Sequence, residues 1–166
     1  MKYKLIIIFL IALVSCNKEV SHTVLMNNKI NTTYLKQIPR AEKALLSWYL
    51  YSYGNACDGT SDKPKCKILK VINVTDECDS KHLNMMLQWF SNDMSAAYKL
   101  NKCPNLPKNS AIQNEFESII IKRNNDILAI DYTVKGLNNS QEKSWNVHRV
   151  DKYKITSNNF VKLNSK

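Results

Sequence analysis

The spacing of apolar residues along the chain predicts two helical stretches followed by a run of strands. Ala41, Ala44, Leu45, Trp48 and Tyr51 recur at intervals of three and four, and Leu46, Tyr49, Leu50 and Tyr53 widen that stripe. A helix so apolar is expected to be buried on more than one side. Pro39 suits its first turn and Gly54 its stop, so the helix is placed at about 40–54. The β-branched run Ile68 to Val74 fits a short strand or a buried helical turn equally. Leu83, Leu87, Phe90, Met94 and Ala97 then step by 4, 3, 4 and 3, after a capping Asp79 or Ser80 and before Pro104. That phase predicts one unbroken helix at about 80–101. From Asn114 the period becomes two. Phe116 to Lys122 is β-rich, Asn124-Asn125 is a turn, and Leu128, Ile130, Tyr132 and Val134 alternate with Ala129, Asp131 and Thr133. Trp145, Val147, Tyr153 and Ile155 share one parity, which Arg149 and Asp151 interrupt, so a bulge or bend is expected there. Phe160 to Leu163 closes a four-stranded antiparallel meander at about 115–163.

Helices followed by a meander make an α+β domain whose sheet buries one face on the long helix. This element order, over about residues 40–163, resembles the cystatin-like and NTF2-like class of small domains, in which a curved sheet wraps a helix. The likeness rests on the order of elements and carries no functional residue across.

The chain opens on Met1-Lys2-Tyr3-Lys4 and an uncharged apolar run from Leu5 to Val14. That run is about half of what a membrane-spanning helix needs and matches the core of a signal peptide. Its end, Leu13-Val14-Ser15-Cys16, resembles the lipobox of bacterial lipoproteins: aliphatic, small or aliphatic, small, then Cys. The resemblance implies removal of residues 1–15 and a lipid-bearing Cys16. Residues 16–38, rich in Asn, Thr and Lys, are then expected to be a lipidated tether, with Val24-Leu25-Met26 a patch able to dock on the domain. Residues 39–166 would form the single α+β domain. Asn17 is not the Asp that retains many lipoproteins at the inner membrane, so the resemblance implies a cell-envelope protein on the outer membrane, facing the periplasm.

This address changes the reading of charge and cysteines. The 24 Lys and Arg stand against 14 Asp and Glu, a net +10, and loss of Lys2 and Lys4 leaves 22 against 14, or +8. The basic residues are dispersed rather than clustered, and an envelope location speaks against nucleic acid as partner. An acidic protein partner fits better. Of five cysteines, Cys57, Cys66, Cys78 and Cys103 remain after Cys16, an even set that reads as two disulfides. Cys78 and His82 lie four apart, but no C-x-x-C pair is present and no metal site is expected. An unbroken helix over 80–100 would be about 30 Å long and would hold Cys78 and Cys103 too far apart to bond. Two pairings then survive: Cys57–Cys103 with Cys66–Cys78, or Cys57–Cys78 with Cys66–Cys103. The second alone survives if residues 66–78 run extended. A kink at Ser91-Asn92-Asp93 would restore Cys57–Cys66 and Cys78–Cys103.

Catalytic chemistry is sparse. His22 falls in the tether, His82 near the start of a helix, and His148 on the outward parity of a strand. The acid pairs Asp76-Glu77 and Glu115/Glu117 read as a helix start and strand positions. No nucleophile elbow, metal helix or phosphate loop is present, and no catalytic residue or cofactor is expected. Aromatic side chains from both halves, Trp48, Tyr51, Trp89, Tyr132 and Trp145, are the candidate lining of a pocket, with Tyr49 and Tyr53 beside them. The expectation is a membrane-anchored, non-catalytic binding module, with a toxin-neutralising immunity protein as the leading special case. A structural or adaptor lipoprotein of a secretion or conjugation apparatus is the alternative, and an enzyme using an NTF2-like pocket a third reading.

Overall fold

The computed structural model describes residues 18–57, 62–74, 78–102 and 112–163. The expected signal at 1–15, Cys16, Cys103 and the Asp76-Glu77 pair lie outside the described residues. Strands β1 (Val20–Met26), β2 (Lys29–Ile30), β3 (Ile112–Asn124), β4 (Ile127–Asn138), β5 (Lys143–Thr156) and β6 (Asn159–Leu163) form one six-stranded antiparallel sheet in the order β2-β1-β3-β4-β5-β6. The domain is α+β, and β3 to β6 are the expected meander.

The other two strands arise from residues expected to be tether, which corrects both the strand count and the domain boundary at 39. Asn27 and Asn28 take φ of 48° and 63°, the left-handed pair that a tight hairpin turn requires. A register shift between Thr23 and Leu25 turns both Val24 and Leu25 into the core, where each is fully buried. β1 covers the edge of β3 that Ile119 and Ile121 would otherwise border. Asn31 then caps helix α1 (Thr32–Lys36), its Oδ1 accepting the Tyr34 N–H at 3.1 Å, and Tyr34 and Leu35 are buried.

Helix α2 (Arg40–Ser52) is the centre of the domain. Leu45, Leu46 and Leu50 are fully buried, and almost every residue from Ala41 to Tyr51 is out of solvent. Gly54 follows with φ of 77°, the left-handed exit expected of it. Ile68 to Val71 belongs to helix α3 (Pro64–Val71), with Pro64 at its start.

The long helix expected at 80–101 is two helices, α4 (Ser80–Trp89) and α5 (Met94–Asn101). Phe90 leaves the helical region, and the Asp93 carboxylate accepts the Ala96 N–H at 2.9 Å, capping a new helix in place of the old ladder. The burial phase resets with it. Met86, Trp89, Phe90, Ala96 and Leu100 are buried, while Met94, expected in the stripe, is 86% exposed.

The break also changes the disulfides. Cys57 bonds Cys66 with their Cα atoms 5.7 Å apart, so neither surviving pairing is correct. Closing so short a loop is worth about 2–3 kcal/mol. Cys78 is disulfide-bonded as well. The bulge expected at Arg149–Asp151 is absent: β4 and β5 keep one register from Ile127↔Lys154 to Asn138↔Lys143. Arg149 and Asp151 interrupt the apolar pattern because they face inward as polar residues.

Candidate functional site

Three rungs of the β4–β5 ladder floor a cleft on the helix side of the sheet. They pair Tyr132 with Arg149, Val134 with Val147 and Gly136 with Trp145. The carboxyl end of α2, Ser52-Tyr53-Gly54, forms the facing wall, and Asn114 of β3 closes one side. The cleft holds about 230 Å³. Gly136 shapes it directly: a Cβ there would lie 2.0 Å from the Trp145 ring, so the indole sits flat on the bare backbone. Trp145 remains 37% exposed and forms the rim.

The polar groups in this cleft are under-partnered. Arg149 makes no hydrogen bond or ion pair among the described residues. The Ser52 and Tyr132 hydroxyl oxygens are buried and make no hydrogen bond of good geometry, although the Tyr132 residue is 1% exposed. The nearby Tyr53 ring is 5.4 Å from that of Tyr132 between centroids. Burial first, then the Tyr53 phenol, raises the Tyr132 pKa well above the ordinary tyrosine range, against a lowering by the Arg149 charge. The neutral phenol is turned to Tyr53, and its oxygen has no accessible surface. A buried hydroxyl that lacks a hydrogen bond costs about 1–3 kcal/mol, whereas Arg149 is exposed and its guanidinium is hydrated.

Deeper along the same face the polar groups are satisfied. Tyr49 donates to Asp151, leaving the Tyr153 hydroxyl, 2.8 Å away, to donate to Tyr49. Lys162 completes the set at 3.0 Å from Asp151. Burial is the largest cause that lifts the Tyr49 and Tyr153 phenols above their usual range, with the Asp151 charge adding to it. At the opposite end of α2, buried Glu42 accepts from Tyr34 at 2.9 Å and from Arg123 at 3.3 Å, fastening β1–α1 to α2 and β3. These networks are structural joints.

Of the expected pocket lining, Tyr132 and Trp145 line the cleft and Trp48, Tyr51 and Trp89 do not. Trp48 packs on Phe90 at 5.1 Å, Tyr51 donates to the Lys99 carbonyl, and Trp89 stacks on Phe160 at 4.7 Å. Their aromatic surface joins helices to sheet and helix to helix. Tyr53 lines the cleft, whereas Tyr49 lies in the satisfied network. Arg149, Ser52 and Asn114 escaped sequence reasoning. The usable signal was Arg149 itself, an arginine on the parity of Trp145, Val147 and Tyr153.

The histidines are dispersed. His22 stacks on Tyr34 at 4.3 Å in β1, not in a tether. His82 lies 3.5 Å from Asp79, and burial lowers its pKa despite that carboxylate. His148 is outward, as its parity predicts, and meets Asp131 at 2.8 Å on the exposed face. Burial of Asp131 would raise its pKa, but hydrogen bonds and charge from Lys122 and His148 outweigh that and hold it low. Among the described residues no group of three or more His, Cys, Asp or Glu is placed to hold a metal. No described helix is long and apolar enough to cross a membrane. Comparison of the chain with protein-family models, curated proteins and solved structures finds no match.

Proposed function

We propose that this chain is a non-catalytic binding module of the cell envelope, anchored by lipid on Cys16, with the Arg149 cleft as its ligand-contact site. The observation that carries the reading is the exposed Arg149 guanidinium, with no hydrogen-bond or ion-pair partner among the described residues, at the mouth of a largely apolar cleft rimmed by Trp145. A hydrated guanidinium beside apolar walls can exchange its water for an acceptor that enters the cleft. The set contains donors but no nucleophile beside a base, which favours recognition over reaction. Within this class a toxin-neutralising immunity protein comes first. The net charge of +8 after signal removal suits an acidic effector, and the cleft suits one anchoring group of such a partner.

A second reading, an adaptor lipoprotein of a secretion or conjugation machine, is favoured by the open outer sheet face, where Val150 and Val161 are 37% and 44% exposed. The test has two arms. Mass spectrometry of the mature chain is expected to find Cys16 as the first residue, carrying a diacylglyceryl thioether and an acylated amine; an unmodified Cys16 in a soluble chain would remove the anchor. Affinity capture from the native envelope is expected to recover a partner with wild type and lose it with Arg149→Glu. Equal recovery by both would remove the cleft from the function.

A further inference from the structure

Arg149 can only donate hydrogen bonds, and its planar fork matches two coplanar oxygens. Arg149 is exposed at the cleft, whereas the Tyr132 and Ser52 hydroxyl oxygens are buried without accessible surface. The cleft therefore calls for an acceptor rather than a cation. The remaining charge pattern selects among acceptors. Arg149 is the one charged side chain among the lining residues described. The carboxyl end of α2 makes the surroundings more negative, while Asp151, two residues along β5 on the same face, is already paired with Lys162. A dianion such as a phosphate monoester would meet one guanidinium and the negative end of α2; a monoanion is matched. The volume of about 230 Å³ lies below the roughly 300–1,000 Å³ of pockets for drug-sized ligands, so the cleft takes a compact group. Its apolar surface is Val134, Val147 and the exposed indole of Trp145 lying on Gly136, which offers a plane for stacking.

Resting on the binding-module reading above, we infer that the cleft is a receptor for a carboxylate borne next to a flat apolar group, held by Arg149 and stacked on Trp145. That chemistry is shared by a free arylalkanoic acid and by the carboxy-terminal aromatic residue of a peptide. In the first case the module binds a small metabolite; in the second, the end of a partner chain.

The test is calorimetric titration of the full mature chain in lipid nanodiscs. The probes are phenylacetate, phenylacetamide, phenyl phosphate, N-acetylphenylalanine and N-acetylphenylalaninamide. Each acid is expected to bind about tenfold or more tighter than its amide, a ratio set by the charge-assisted pairing. Phenyl phosphate is expected to bind more weakly than phenylacetate. Arg149→Gln should abolish the acid-over-amide preference, with folding checked by circular dichroism. Binding of phenylacetate alone assigns a free acid, and binding of N-acetylphenylalanine as well assigns a chain terminus. Equal binding of acids and amides, tighter binding of phenyl phosphate, or no heat from any probe would overturn the inference. Such a failure differs from failure of the binding-module reading, which is judged by whether partner capture depends on Arg149.

Discussion

Tyr49→Phe probes the joint between α2 and the sheet and removes a single oxygen. The ring stays, so its contacts with Tyr132 at 5.1 Å and Tyr53 at 5.7 Å are kept and no cavity opens. Two hydrogen bonds go. The first is charge-assisted, from Tyr49 to Asp151, and such bonds are worth about 1.5–3 kcal/mol. Asp151 keeps Lys162 at 3.0 Å, which limits the damage. The second leaves the Tyr153 hydroxyl, on a residue 4% exposed, without its partner, at about 1–2 kcal/mol. The expected cost is about 2–4 kcal/mol, or a fall in Tm of about 5–15 °C for a domain of this size. Tyr153→Phe alone should cost about 1 kcal/mol, because Tyr49 keeps Asp151. In the double variant no orphan hydroxyl remains, so its cost should fall below the sum of the singles by about 1–2 kcal/mol. Urea unfolding followed by circular dichroism measures all four proteins. A Tyr49→Phe cost under about 1 kcal/mol, or strict additivity, would refute the network as described.

Other outcomes follow from the same structure. Gly136→Ala should displace the Trp145 ring, costing about 1–3 kcal/mol and shifting tryptophan emission to the red, while Gly136→Ala in a Trp145→Ala background should cost little. Replacing Cys57 and Cys66 together by Ser should lower stability by about 2–3 kcal/mol, read as a lower urea midpoint at unchanged slope. Stability should also fall at high pH. The phenols of Tyr34, Tyr49, Tyr132 and Tyr153 all have raised folded-state pKa values, so their contribution is complete below the unfolded value near 10 and is lost as pH rises above it. For Tyr49 and Tyr153, the loss is about 1.4 kcal/mol per pH unit each. Absorbance at about 295 nm should show these phenols ionising only with unfolding; reversible ionisation of the folded chain would contradict their burial.

The meander and the central helix were legible because each repeats one period over many residues, as in Leu128 to Val134 or Ala41 to Tyr51. Three features were not, each for a physical reason. β1 is short and sits on a bulge, so Val24 and Leu25 bury side by side and no alternation shows. The α4–α5 break was masked because Met94 preserves a hydrophobic phase that the structure does not use. The competing signal was Asp93, a helix cap in mid-run. The disulfide error followed from that phase, since the exclusion of the Cys57–Cys66 pair depended on an unbroken helix, and the break restores it. At the cleft, Tyr132 and Trp145 were found by aromaticity, but the same rule selected Trp48, Tyr51 and Trp89, which serve packing. An inward Arg149 was read as an irregularity of the backbone when it was a feature of the site.

Site-specific photo-crosslinking in the native envelope tests the central claim most directly. A photoreactive amino acid at Asn114, beside the cleft, is compared with one at Thr133, on the opposite face of the sheet next to Val150 and His148. The cleft account predicts a discrete crosslinked product from position 114, lost when Arg149→Gln is added, and none from position 133. A product from position 133 alone, unaffected by Arg149→Gln, would place the working surface on the open sheet face and contradict the account.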